Sequence, residues 1–385
     1  MRRIVFLLPF LLGLGGCAST ALPPVTAGHF APEQDEQRLW QRAREEQARL
    51  DESGLLLQDR DLDAYLGEVA RRLQPPEVWR QVPFQVKVLK NPCSNAFAYP
   101  NGVIYVHTGI LARIENEAQL ATLLAHEMTH ATHRHQVREF RGQRNRTAAL
   151  ASLRATLGGL PAIGELTTAL GELGTMASVS GYARDLETEA DMEGIARVVA
   201  AGYDPREAPK LFDHIKQELQ EEGEKEPFFF GSHPRLKERA GNYRDFLEEH
   251  PGAGGTVGAE TFARRVTPAL LANARLQLQA GRYEKAAAEA EKYLAARPKD
   301  PRGYFLLGEV LRQQGGEEEL SEAAGYFKKA LAADPAYPEP HRSLGLLQLK
   351  AGRKKEAKKA FQSYLKLAPG ASDSSYIEDY IAQCR

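Results

Sequence analysis

Leu120 to Gln136 reads LATLLAHEMTHATHRHQ, an apolar, helix-favouring run that carries His126-Glu127-Met128-Thr129-His130. On a helix, residues four apart project from nearly the same side, so His126 and His130 can present two imidazole nitrogens to one metal ion. Glu127 lies one position round, where its carboxylate can hold a water molecule and accept its proton. Zinc suits this pair because it takes neutral imidazoles and leaves a position open for water. The bland alternative is two solvated histidines on an amphipathic helix, since five-residue patterns arise by chance.

A third ligand decides between chemistries. The extended pattern HExxHxxGxxH is absent: His133 stands in the glycine's place and Gln136 in that of the last histidine. A later stretch, Leu186 to Ala200 (LETEADMEGIARVVA), supplies carboxylates instead. Glu187 and Asp191 are again four apart, so one can bind metal while the other orients a ligand. An acidic first turn also suits a helix dipole with no metal at all. Spacing alone leaves both Glu187 and Glu189 open as the ligand.

HExxH followed by Glu187-Thr188-Glu189-Ala190-Asp191 resembles the zinc metallopeptidase family of the CAAX prenyl protease and the HtpX heat-shock protease. Further pieces in family order are Asn95-Ala96-Phe97-Ala98 with Gly102-Val103-Ile104-Tyr105-Val106, Arg184 before the acidic motif, and His233-Pro234 with Arg239 after it. The resemblance covers roughly residues 35–245. It implies a mainly α, α+β domain of gluzincin type with a small β-hairpin sheet, holding one zinc ion (Zn2+) per chain. It assigns His126, His130 and Glu187 as metal ligands, Glu127 as general base and Asp191 as an orienting partner. His135 matches a family position, with a role beside the ligands or at the surface rather than on the metal. In a periplasmic member, the histidine corresponding to His233 can occupy the zinc's open position. His233 is therefore a candidate regulatory ligand or substrate contact.

Met1 to Cys17 reads MRRIVFLLPFLLGLGGC. The apolar run is too short to span a bilayer, and its basic start and small-residue end mark an export signal. Leu14-Gly15-Gly16-Cys17 resembles a bacterial lipobox, which implies cleavage before Cys17 and lipidation of its sulfur. Ala18 resembles the sorting pattern for the outer membrane, and two or more acyl chains anchor stably where one is marginal. The expected location is the periplasmic face of a Gram-negative outer membrane. With 50 basic and 51 acidic side chains, nothing points to nucleic acid. Cys93 and Cys384 are too far apart in sequence to define a disulfide framework, and a buried, inert Cys93 is expected.

Ala18 to Gly28 reads as a tether, and Glu33 to Leu73 as two helices packed on the core. Phe84 to Val88 alternates as a strand. Ala96–Tyr99 and Val103–His107 flank Pro100-Asn101-Gly102, a hairpin turn in which Asn-Gly tolerates positive φ at both central positions. An edge of that hairpin is a candidate for binding an extended peptide by strand addition. Residues 147–181 are small, apolar and glycine-rich, and read either as helical segments near the cleft or as a packed but functionally silent hairpin. Tyr203 to Glu224 reads as an amphipathic helix, before Phe228, Phe229 and Phe230 in a loop with His233.

After the glycine-rich GAGGTVG at Gly252 to Gly258, the chain repeats itself. Ala286, Ala323 and Ala357 are 37 and 34 residues apart, each followed eight later by Leu294, Leu331 and Leu365, and Pro298, Pro335 and Pro369 close the units. The three extra residues are expected in the middle unit's turn, near Gln314 to Glu318. The pattern resembles the tetratricopeptide repeat, helix pairs stacked into an all-α solenoid whose surface takes up peptides or partner proteins. Ser375 to Cys384 reads as its capping helix.

The domain organisation expected is a signal at 1–17, a tether at 18–32, a zinc metallopeptidase domain at 33–250, a linker at 251–262 and repeats at 263–385. The layout is closest to that of a periplasmic family member that assists β-barrel assembly. The expected function is a lipid-anchored zinc endopeptidase acting on misfolded or misassembled envelope and outer-membrane proteins, its repeats recruiting clients or assembly machinery. The competing reading is a latent protease that works mainly as a chaperone. An intact Glu127 favours the enzyme, because binding alone needs no base.

Overall fold

The computed structural model describes residues 21–28, 30–143, 170–177, 182–221 and 236–384. Cys17, the Phe228–Phe230 run, His233 and most of the 147–181 stretch lie outside the described residues.

Three helices lead, α1 (Gln34–Glu52), α2 (Arg60–Leu73) and α3 (Pro76–Gln81). The stripe Leu62, Leu66, Val69 and Leu73 recurs at helical spacing and is buried, while Asp59 caps α2 by accepting from the Leu62 amide at 2.9 Å. Strands β1 (Gln85–Leu89), β2 (Ala96–Ala98) and β3 (Val103–His107) form one sheet in the order β1-β3-β2. The β2–β3 pair is the expected antiparallel hairpin, and β1 runs parallel to β3. Alternation assigns the two faces. Val86, Val88, Ile104 and Val106 join a core shared with α2, whereas Phe97, Tyr99 and Tyr105 enter a second cluster with Leu39 and Leu50 of α1.

The hairpin turn differs from expectation. The Gly102 amide donates to the Tyr99 carbonyl at 3.0 Å, so Pro100 holds the second position of a four-residue turn. Its ring fixes φ near −65°, as a type I turn requires there. Positive φ falls on Gly102 alone, at 88°, and Asn101 keeps an ordinary backbone while exchanging amide hydrogen bonds with Gln47 of α1.

Beyond the sheet come α4 (Thr108–Arg113), α5 (Glu117–Thr132), α6 (His135–Gln143), α7 (Glu172–Thr175), α8 (Arg184–Ala200), α9 (Glu207–Glu221) and α10 (Leu236–Glu249). Then follow α11 (Ala259–Arg265) and the paired helices α12 (Thr267–Gln279) with α13 (Tyr283–Ala296), α14 (Pro301–Gln314) with α15 (Glu317–Ala333), and α16 (Glu339–Lys350) with α17 (Lys354–Leu367). The last helix, α18, is Ser374–Gln383. Small residues make the close contacts within pairs: a Cβ on Gly308 would lie 2.5 Å from Phe327, and one on Gly345 2.5 Å from Phe361. The three extra residues of the middle unit lengthen its second helix rather than its turn. α15 has 17 residues where α13 and α17 have 14, and it gains the acidic first turn Glu317, Glu318 and Glu319.

Two stretches expected to be loose are fastened. In the N-terminal tether, Val25 is buried and its amide donates to the Thr132 carbonyl at 2.8 Å, at the end of α5. In the glycine-rich linker, the Thr256 amide donates to Gly202 at 2.9 Å, the Val257 carbonyl accepts from Ala118 at 3.1 Å, and Phe262 of α11 enters the main core. Cys93 is half-buried and Cys384 buried, with no disulfide between them. Among the described residues no helix is long and apolar enough to cross a membrane.

The first repeat packs into the same core as α4 and α5. Ile110 and Leu111 share that cluster with Leu270, Ala274 and Tyr293, and the Thr108 hydroxyl donates to Asn273 Oδ1 at 2.9 Å. A chain ending at Gly258 is therefore expected to lose its cooperative unfolding transition, because Val266, Leu270, Leu271 and Leu278 leave the core. Each such side chain contributes about 1.5–3 kcal/mol when fully buried, against a whole-domain net stability of about 5–15 kcal/mol. Scanning calorimetry of the truncated and full chains checks this. An unchanged sharp transition would mean that the N-terminal domain folds without the first repeat.

Candidate metal centre

Helix α5 is buried along its whole length, so its sequence is apolar all round rather than striped. Asn116 starts it by accepting from the Gln119 amide at 2.9 Å, and the Thr122 and Thr129 hydroxyls bond the carbonyls four residues back. Against it lies α8, which comes close because of Gly194: a Cβ there would sit 3.2 Å from the His126 backbone nitrogen. That close approach carries Glu187 and Asp191 to the histidines.

His126 Nε2 and His130 Nε2 are 3.0 Å apart, and the Glu187 carboxylate oxygens lie 3.4 Å from the first and 3.5 Å from the second. All three residues are buried. Zinc–ligand bonds of about 2.0–2.1 Å in a tetrahedron place ligand atoms about 3.3 Å apart. The donor set and its spacing therefore fit a zinc ion. Glu187 is the carboxylate that meets the histidines. Glu189 is turned away, accepting from Arg138 at 2.7 Å and lying 3.2 Å from His135 Nε2.

Asp191 stands behind His126, its Oδ1 3.0 Å from Nδ1. Arg239 Nε at 3.0 Å, the Tyr243 hydroxyl at 2.8 Å and Asn242 Nδ2 at 3.2 Å, all from α10, donate to the same carboxylate. Burial by itself would raise the Asp191 pKa, but Arg239 and His126 outweigh it and hold it at about 2. Asp191 is thus a charged acceptor, and an acceptor at Nδ1 favours the Nδ1–H form of His126, whose Nε2 faces His130 and Glu187.

Glu127, the next residue along α5, is 1% exposed. Its charge and that of Glu187 act on the Tyr182 hydroxyl, which burial already pushes well above its ordinary pKa. The Tyr182 ring stacks on His130 with centroids 4.0 Å apart. Tyr182 thus covers the His130 ring while its hydroxyl feels the charge of Glu127.

The end of α5 is held in an uncommon conformation. Arg134 has φ 59°, the left-handed region that costs a non-glycine residue about 1–3 kcal/mol. Its guanidinium offsets this by binding the buried Glu36 of α1, with Nε to Oε1 at 3.1 Å, and by lying over the Phe30 ring. The reversal brings α6 back against α5, so that His135 Nδ1 comes within 2.8 Å of His130 Nδ1. Burial pushes His135 down to about 3, which keeps that ring neutral.

Of the site residues expected from sequence, His126, His130, Glu187, Glu127 and Asp191 gather at one place, and Cys17 and His233 lie outside the described residues. Tyr182, Tyr243 and Asn242 were missed. Arg239 and Tyr243 are four apart, a helical spacing that could have flagged them, whereas nothing local distinguishes Tyr182.

Comparison with known proteins fits this arrangement. Residues 56–246 match Peptidase family M48, and residues 271–338 and 316–377 each match a tetratricopeptide repeat family. A putative beta-barrel assembly-enhancing protease of Vibrio cholerae is 30% identical over 51% of this chain and 41% of its own length. The beta-barrel assembly-enhancing protease of Yersinia pestis is 28% identical over 69% of this chain and 57% of its own. The mitochondrial metalloendopeptidase OMA1 of Schizosaccharomyces pombe is 28% identical over 48% of this chain and 53% of its own. The chain thus spans about half the length of these curated relatives.

Proposed function

We propose, on the match of residues 56–246 to peptidase family M48 and of the residues after them to tetratricopeptide repeats, that this chain is a zinc-dependent endopeptidase of the bacterial cell envelope. The observation that carries the reading is the convergence of His126, His130 and Glu187 from two helices, beside a buried glutamate on the first of them. His126, His130 and Glu187 would hold a zinc ion, and when bound it would supply the polarisation of a carbonyl and a water pKa brought toward neutrality. Glu127 takes the proton of the attacking water on its carboxylate and delivers it to the departing amide nitrogen. Asp191 keeps His126 in the tautomer that presents Nε2. The edge strand β2 lies beside α5, and an extended substrate backbone pairing with it would run past the site.

The proposed substrates are misassembled envelope proteins, and two relatives named for β-barrel assembly support that class. The repeats are proposed to hold clients or assembly partners. The test combines metal analysis with cleavage of an unfolded β-barrel outer-membrane protein by the full chain. Zinc at one equivalent with fragments appearing supports the reading; zinc-loaded protein that leaves the client intact but speeds its assembly would favour the chaperone reading.

Ligand assignment is open to a direct comparison. Glu187→Gln is expected to strip most of the zinc, since it removes a charged ligand. Glu189→Gln should change zinc affinity by less than about 10-fold, because an amide oxygen still accepts from His135. Zinc content after dialysis against a weak chelator checks this, and the opposite order would shift the ligand by two residues.

Anchoring through Cys17 is the proposed route to the outer membrane. Cys17→Ser is expected to stop incorporation of labelled palmitate and move the protein to the soluble fraction, whereas label on the variant would place the lipid elsewhere.

A further inference from the structure

His130 can bind a metal through Nε2 only as the neutral ring that carries its proton on Nδ1. That N–H needs an acceptor. His126 has the Asp191 carboxylate in this role; facing His130 Nδ1, at 2.8 Å, is Nδ1 of another imidazole, His135. An imidazole nitrogen accepts only when the ring's proton sits on its other nitrogen. For His135 that other nitrogen, Nε2, lies 3.2 Å from Glu189 Oε2. An ionised carboxylate only accepts, so it draws the His135 proton to Nε2 and leaves Nδ1 as the acceptor His130 requires. Glu189 is held in place by Arg138 at 2.7 Å.

We infer that Glu189 and His135 are positioning residues that set the tautomer of His130 through a one-way chain of hydrogen bonds, Glu189 to His135 to His130. The inference rests on the zinc-site reading above. It gives the acidic motif two separate tasks: Glu187 faces the metal position, while Glu189 acts on the same position from behind, through two imidazoles. The pair His130–His135 exists because Arg134 reverses the chain, so the left-handed residue is part of the device.

The test is zinc affinity of the full chain, measured by competition with a chelator of known strength, with thermal melting of the metal-free protein as the control for folding. His135→Phe keeps an aromatic ring but removes the acceptor, and is expected to weaken zinc binding about 10–100-fold. His135→Asn offers Oδ1 where the imidazole offered Nδ1, and is expected to bind zinc close to wild type. Glu189→Ala is expected to cost about 10-fold in the wild-type background and nothing further in the His135→Asn background, since an amide oxygen needs no partner to become an acceptor. Glu189 is part-exposed, so this variant carries the test if His135→Phe fails to fold. Wild-type affinity in a folded His135→Phe protein, or an equal cost of Glu189→Ala in both backgrounds, overturns the inference and leaves the zinc site standing. A wild-type chain that binds no zinc overturns both.

Discussion

Glu127→Gln is expected to leave zinc bound at the wild-type stoichiometry and to slow peptide hydrolysis by about 10²–10⁴-fold, the usual cost of removing a general base. The amide has nearly the shape of the carboxylate but cannot accept a proton at neutral pH. The three residues facing the metal position are untouched, so metal content separates a lost base from a lost site. Glu127 is almost fully buried, so this variant removes charge without opening a cavity. Hydrolysis of a quenched fluorescent peptide, with zinc measured on the same sample, gives both numbers. Retained hydrolysis with zinc bound would take Glu127 out of the mechanism.

Asp191→Ala is expected to act on stability and on metal at once. Arg239 is buried and donates to Asp191 at 3.0 and 2.9 Å, so losing the carboxylate leaves an uncompensated charge in the core. Breaking such a pair from one side costs about 3–5 kcal/mol. His126 also loses the acceptor on Nδ1, which is expected to weaken zinc about 10–100-fold. The two effects come apart in the double variant Asp191→Ala with Arg239→Met. Removing both charges is expected to restore much of the stability, as replacing whole buried pairs generally does, while zinc binding stays weak. Urea unfolding of the metal-free proteins and chelator competition report the two quantities. If zinc affinity recovers with stability, Asp191 serves the fold alone and does not orient His126.

Much of the site was legible because its signals are local. The HExxH spacing needs only that Leu120 to Gln136 be helical, and an Asn cap and alanine-rich run make it so. The hairpin, the repeats and the capping helix were legible for the same reason, each being a short-range period or turn signal in the residues that form it. The turn at Pro100-Asn101-Gly102 was placed correctly but given the wrong backbone, since Pro100 counts as a turn position and its fixed φ excludes the two-residue form. The middle repeat's extra residues were counted correctly and placed in the turn, although Glu317 to Glu319 suit a helix start equally well.

The sequence by itself determined that Leu120 to Gln136 carries a helix, that repeats of paired helices follow, and that two histidines share a helix face with a glutamate beside them. These depend on spacing within single elements. Tertiary structure put Glu187 rather than Glu189 against the two histidines, because that placement turns on the rotation of α8 against α5 and on the gap left by Gly194. It also decided that β1 lies parallel to β3 and that the first repeat shares the N-terminal core. The return of His135 to His130 hangs on one arginine in a left-handed conformation, held by a glutamate 98 residues earlier. No period in the chain records such a contact, since its free energy comes from groups brought together only after the helices have packed.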